Sequence, residues 1–331
     1  SWPIDTNLAT WVTTLAVTAL AAGGGLAEHL GAGEREAVRG WLLDQQWRTV
    51  HPATGAAAGG WAWTDLAGGV PDADDTSGAV SALACLEAAE DRPPRDDVRR
   101  AAMAGMAWLA NLANRDGGIP TFCRGWGRLP FDTSCPDITA HALRAVELWR
   151  SLDPSAARVA AVLRMCRDAR RYLAVNQAAD GSWCPLWFGN ENHPAQANPT
   201  YGTSRVVLAT GDERGAAWLL RALDASGGAG GGPGLPASIE ETAVTIEALS
   251  RVAAGARSPS VGGRVRAAVE RGLEWLCERT EAGTRFEAAP IGLYFAKLWY
   301  DEELYPLVFT VAACERARSL SQGGSGGKLP D

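Results

Sequence analysis

The chain has 331 residues, 47% of them hydrophobic, and its 31 basic and 38 acidic side chains leave a net charge of −7. That length and apolar fraction can bury a sizeable core, while scattered Arg in an acidic chain argues against a nucleic-acid partner, whose phosphates require clustered cations. The seven cysteines are odd in number and contain no CxxC pair, so neither a disulfide framework nor a zinc finger is suggested, and a reducing compartment, the cytoplasm, fits best.

No charge-free run of 18 apolar residues occurs, and Ser1-Trp2-Pro3 is not followed by a basic and then apolar leader. Nothing is therefore expected to span a membrane, although a local apolar patch is compatible with peripheral contact at its surface. The 14 Trp, against 5 Tyr and 6 Phe, serve either a core or a cavity lined by aromatic faces.

In chain order, apolar spacings of three and four predict paired helices over 5–22 and 33–44, 75–90 and 94–113, 137–151 and 156–177. The pairs continue over 201–210 and 212–224, 239–254 and 262–279, and 291–299 and 303–318, with no convincing period-two alternation. The chain reads as all-α. Six hairpins that cannot bury their faces alone close into a ring or stack into a solenoid, and an (α/α)6 barrel over residues 1–321 is expected. Gln322 to Asp331 reads as a Gly-rich linker tail, and Gly227 to Pro236 as a flexible loop. Lys328-Leu329-Pro330-Asp331 joined to Ser1-Trp2 would nearly copy Asp180-Gly181-Ser182-Trp183, so the ends are expected to be engineered, permuted or cut inside a repeat.

Several first helices open alike: Asp5-Thr6, Asp75-Thr76, Asp137-Ile138-Thr139 and Glu241-Thr242. Such residues supply acceptors for the free amides of a first turn, and plain capping is the expectation for Asp5 and Glu241. A second recurring unit is Arg170-Arg171-Tyr172-Leu173, Gln177 and Gly181-Ser182-Trp183, with weaker copies around Gln45 and Gly60-Trp61 and around Trp108 and Gly117-Gly118. Here Gln bonds the next turn and Trp covers the hairpin junction, a structural role.

Asp72, Asp74 and Asp75 exceed what capping needs, and they follow Gly59-Gly60-Trp61-Ala62-Trp63. Protonating a carbon–carbon double bond needs a strong acid that is still protonated near neutral pH, and crowded carboxylates retain a shared proton because like charges resist full ionisation.

This run resembles the Asp-x-Asp-Asp region of squalene–hopene cyclases. Asp137-Ile138-Thr139-Ala140-His141 is similar to that family's Asp-Val-Thr-Ala-His, Gln177 to Trp183 to its Gln-Trp repeat, and Tyr201-Gly202-Thr203 to its Tyr-Gly-Thr run, all in the family's order. The likeness covers the catalytic barrel, without the second, inserted barrel usual in the family. It implies a protonation-initiated (class II) terpene cyclase acting on squalene or a shorter linear isoprenoid, with no cofactor and no metal. By the same resemblance Asp74 is the proton donor, Asp72 and Asp75 share or return its proton, His141 hydrogen-bonds the acid, and Asp137 orients the ring.

The resemblance also assigns cavity positions. Trp63 and Trp187 are read as cavity aromatics, whose π faces stabilise cations by roughly 0.5–2 kcal/mol each when desolvated; Phe122 and Tyr201 fit a cavity wall or core packing equally. Tyr294-Phe295, Trp299-Tyr300 and Tyr305 resemble the family's aromatic last hairpin, with Trp299 facing substrate. Ile4 replaces a family Trp, and the loop Phe188 to Pro199 is longer and more polar; both bear on the substrate.

Three rival readings stand. A protein-prenyltransferase-like barrel would use Asp132, Cys135 and His141 as zinc ligands. A non-catalytic barrel would bind a terpenoid without converting it. A metal-dependent synthase would use Asp72 to Asp75 to ionise a diphosphate. Gly23-Gly24-Gly25 follows a helix rather than a strand, so no nucleotide site is expected.

Overall fold

The computed structural model describes residues 7–122, 130–256, 259–288, 290–293 and 298–322. Asp5-Thr6, Ile4, Tyr294-Phe295 and the two chain ends lie outside them. The helices are α1 (Ala9–Leu20), α2 (Leu26–His29), α3 (Ala32–Asp44), α4 (Ala73–Ala88), α5 (Asp96–Leu112) and α6 (Pro136–Leu152). They continue as α7 (Ala160–Val175), α8 (Pro199–Thr210), α9 (Glu213–Ala222), α10 (Ile239–Gly255), α11 (Pro259–Arg279) and α12 (Leu304–Gln322). Two compact units result: Ser1–Thr18 with Gly25–Leu173, and Ala19–Gly24 with Ala174–Asp331.

In the first unit α4 packs against α3, α5 and α6. Nearly all of α4 from Ala73 to Leu86 is buried, because its Ala, Ser and Gly side chains let neighbours approach from several sides. Amphipathic α5 and α7 instead bury one face and expose the other. In the second unit α10 has the central place, packed against α8, α9, α11 and α12.

One expected helix is a sheet. Of the expected helix over 291–299, the described residues form β2 (Ile291–Leu293) and part of β3 (Leu298–Tyr300), which pair antiparallel, and β2 also pairs antiparallel with β1 (Gly189–Asn190). Its short β-branched and aromatic run carries no periodicity that separates strand from helix. The 227–236 segment is likewise not a flexible loop. Gly227 to Gly232 are buried, and Ala229 bridges both Leu223 and Ser238.

A shared junction underlies the repeat. The backbone amides of Trp61, Ile119, Trp183 and Ala229 donate to the hydroxyls of Thr76, Thr139, Thr203 and Thr242 at 2.8–2.9 Å. The glycine two residues before each amide has φ between +92° and +116°, a region closed to most side chains. Gln177 donates to the Gly181 carbonyl at 3.0 Å and to Asp212 at 2.8 Å. In the first copy Gln46, rather than Gln45, takes this place, donating to the Gly59 and Ala101 carbonyls, while Gln45 bonds the Trp41 carbonyl.

Candidate active site

The start of α4 is fixed on both sides by backbone. Asp72 forms β-bridges with Trp61 and Phe122; its amide donates to the Trp61 carbonyl at 3.0 Å, and the Ala73 amide to the Thr121 carbonyl at 2.8 Å. Asp72 then caps the helix, its Oδ1 accepting the Asp75 amide at 2.8 Å. Three roles thus separate within four residues: Asp72 caps, Asp75 turns inward, and Asp74 keeps access to solvent.

Burial sets the protonation of the inner pair. It pushes Asp72 up to about 7, with the Asp74 charge adding and hydrogen bonds from Asp75 opposing. Asp75 is raised well above the ordinary aspartate range, again by burial first, then by the neighbouring Asp72 carboxyl. Such a pair titrates as a unit and holds a proton at neutral pH.

Asp74 points elsewhere. Its Oδ1 lies 2.6 Å from His141 Nδ1, and both side chains keep slightly under a fifth of their surface exposed. His141 belongs to α6, whose first turn carries Asp137. The Asp137 carboxylate accepts from the Cys135 thiol rather than from the imidazole. Among the described residues the hydrogen-bond partner of the His141 ring is therefore Asp74, and Asp137 reaches the ring through no hydrogen bond. Burial pushes Asp137 up to about 6, opposed by the Cys135 hydrogen bond and reinforced by the Asp74 charge.

Aromatic rings flank this group. Trp63 meets Phe122 edge to face at 6.2 Å, and Phe122 meets Phe131 at 5.3 Å. Phe131 was not legible as a site residue, since it lies in a 3-10 turn, Pro130–Asp132, without apolar periodicity. Trp187, Tyr201 and Trp299 belong to the second unit. Trp187 is buried. Tyr201 stacks on Phe188 at 4.3 Å and lies 4.9 Å from the Arg205 guanidinium, which also covers Phe309. Tyr201 is thus packed among neighbours, and Arg205 and Phe309 are additions that spacing alone does not single out. Trp299 is half-buried in β3, opposite Gly292.

Glu241 has a role beyond capping. Ser238 caps α10, and the buried Glu241 carboxylate accepts from Asn190 and Asn198 at 3.0 and 2.9 Å, tying the 188–199 loop to that helix. Burial raises its pKa against those two bonds.

Among the described residues no three His, Cys, Asp or Glu side chains are grouped to hold a metal ion. Asp132, Cys135 and His141 accordingly do not form a zinc set. No helix among the described residues is long and apolar enough to cross a membrane.

The family model for the squalene–hopene cyclase C-terminal domain matches residues 8–319. The squalene–hopene cyclase of Alicyclobacillus acidocaldarius is 30% identical over 227 residues, which are 60% of this chain and 30% of that protein. The chain thus spans less than a third of that relative. Among solved structures, the ent-copalyl diphosphate synthase of Streptomyces platensis aligns with a TM-score of 0.65 at 21% identity, over 95% of this chain and 51% of that one. The type II terpene cyclase MstE of Scytonema, with geranylgeranyl dihydroxybenzoate, aligns at 0.62 and 18% identity over 93% and 87%. These structural likenesses show the mostly helical α/α-barrel fold of terpene cyclases. With the match from residue 8 to 319, the chain belongs to the squalene–hopene cyclase C-terminal-domain family.

Proposed function

We propose that the chain is a protonation-initiated terpene cyclase acting on squalene or a shorter linear isoprenoid, with Asp74 as the acid. The observation that carries this is the 2.6 Å contact between Asp74 and His141 beside the buried Asp72–Asp75 pair. With Nδ1–H donating to Oδ1, the transferable proton sits on Oδ2. The π electrons of a terminal double bond take that proton, the O–H bond breaks, and the carboxylate left behind is stabilised by the imidazole hydrogen bond. Asp72 and Asp75, holding a proton at the same helix start, limit the negative charge around Asp74 and provide the source from which it is reloaded.

Trp63 and Phe122 supply π faces near the acid, which stabilise cations without attacking them. Trp187, Tyr201 and Trp299 are assigned to substrate binding as well. A substrate shorter than squalene is supported by MstE, a protein of similar size solved with a geranylgeranyl compound. Holding the polyene near its product shape lowers the entropic barrier, and excluding water protects the cation from early quenching. We extend the single barrel to residues 1–321 and assign the protein to the cytoplasm with peripheral membrane contact.

The test is incubation with squalene, shorter polyprenols and their diphosphates, with extracts analysed by gas chromatography–mass spectrometry. A cyclic product made by the wild type and not by Asp74→Asn supports the reading. Binding without conversion in both would favour a terpenoid-binding barrel instead.

A further inference from the structure

The His141 ring is held by more than its hydrogen bond. Trp11 and Thr14 lie on α1 and are buried, and Trp11 meets the His141 ring edge to face at 6.4 Å and 74°. The Thr14 hydroxyl donates to the Trp11 carbonyl at 2.9 Å, so the two residues move as one turn. The first turn of α1 is anchored in its place, because the amides of Thr10 and Trp11 both donate to the Trp63 carbonyl at 3.1 and 3.3 Å.

Opposite this turn, α4 presents Gly78, four residues after Asp74 and so on the same helix face. A Cβ there would stand 2.6 Å from Thr14 Oγ1, 3.2 Å from Thr14 Cβ and 3.7 Å from His141 Cε1. The last is an ordinary contact; the first is not, so any side chain at 78 displaces Thr14 before it touches the imidazole. Glycine inside a buried helix carries an entropic cost relative to alanine, and its φ is negative here, so the backbone does not demand it. The requirement is the close approach of α1.

We propose that the Trp11–Thr14 turn, seated on the bare face at Gly78, is the positioning device that keeps the His141 ring aimed at Asp74. The contacts of Trp11, Thr14 and Gly78 on this side run to one another and to the His141 ring, and they act through it. The proposal deepens the acid role given to Asp74 and rests on that reading for its catalytic meaning. Its order of dependence is definite: bare Gly78 admits the α1 turn at Thr14, the helical turn itself, anchored on the Trp63 carbonyl, carries Trp11, Trp11 fixes the imidazole plane, and the imidazole meets Asp74 Oδ1.

The test is 15N NMR of the imidazole nitrogens together with turnover, using Gly78→Ala, Thr14→Ala and the double variant, with circular dichroism to verify folding. In the wild type the His141 Nδ1–H signal is expected to be protected from exchange. Gly78→Ala should lose that protection and lower kcat about 10- to 100-fold, as misplacement of a catalytic group does. Adding Thr14→Ala, which removes the atom the new methyl strikes, should recover both. If Gly78→Ala does not fold, Trp11→Leu serves instead and should lose the protected signal. A folded Gly78→Ala or Trp11→Leu protein that keeps the wild-type Nδ1–H signal would overturn the proposal, as would failure of Thr14→Ala to rescue. If the NMR series behaves as expected while the wild type forms no terpenoid product, the positioning device stands and the cyclase reading falls.

Discussion

Asp72 accepts the Asp75 amide at 2.8 Å while its own buried carboxyl crowds that of Asp75, so one residue caps the helix and also holds a proton on its neighbour. This double use explains why three acids stand where capping needs one. It also creates a pH-dependent cost to folding.

That cost has a definite sign. Asp72 and Asp75 bind protons more tightly folded than unfolded, so between the ordinary aspartate range and about 7 the native state holds more protons. Stability therefore falls as pH rises through that window. At one pKa unit per ~1.4 kcal/mol, the effect is on the order of a few kcal/mol. Asp75→Asn removes the Asp75 share of the titration and leaves that of Asp72, so its thermal midpoint should exceed the wild type's more at pH 8 than at pH 5. Calorimetry at the two pH values checks this; a difference independent of pH would contradict it.

The repeat junction predicts a stability effect remote from the acid. Thr203→Val keeps the shape of the side chain but strands the buried Trp183 amide, at about 1–3 kcal/mol. Urea denaturation measures it, and an unchanged midpoint would show the hydroxyl to be dispensable.

Glycine requirements should differ by environment. Gly117 and Gly24 both have positive φ, but a Cβ at Gly117 would stand 2.4 Å from the Asp168 carbonyl while one at Gly24 meets nothing within 4 Å. Gly24→Ala should cost the backbone preference alone, roughly 1–2 kcal/mol, and Gly117→Ala clearly more. Equal costs in paired denaturation curves would refute the close-approach argument.

Much of this was legible along the chain. The α4, α6 and α10 helices, expected at 75–90, 137–151 and 239–254, lie within two residues of those bounds at each end, because an acidic or hydroxylic opening precedes a long small-residue run. The pairing of Asp74 with His141 followed from family likeness, not from spacing, since the two are 67 residues apart. What spacing could not give depends on tertiary approach. Cys135 takes the Asp137 carboxylate because both sit at the same helix start. The sheet of residues 189–190, 291–293 and 298–300 requires two distant segments to meet. Ala229 can bridge two segments because the glycines around it leave room for backbone that polar composition alone reads as loose.

Metal removal discriminates the acid reading from its rivals. With no three ligating side chains grouped among the described residues and Asp74 engaged by His141, turnover is expected to be unchanged by EDTA. Abolished turnover, or stoichiometric zinc in the purified protein, would favour the metal-dependent readings.

The most direct test of proton transfer from Asp74 is cyclisation in D2O, with the product analysed by mass spectrometry and NMR. Initiation by Asp74 predicts one deuterium at the carbon that receives the proton, and no such product from Asp74→Asn. A cyclic product without solvent deuterium at that carbon, or one formed equally by Asp74→Asn, would contradict the mechanism.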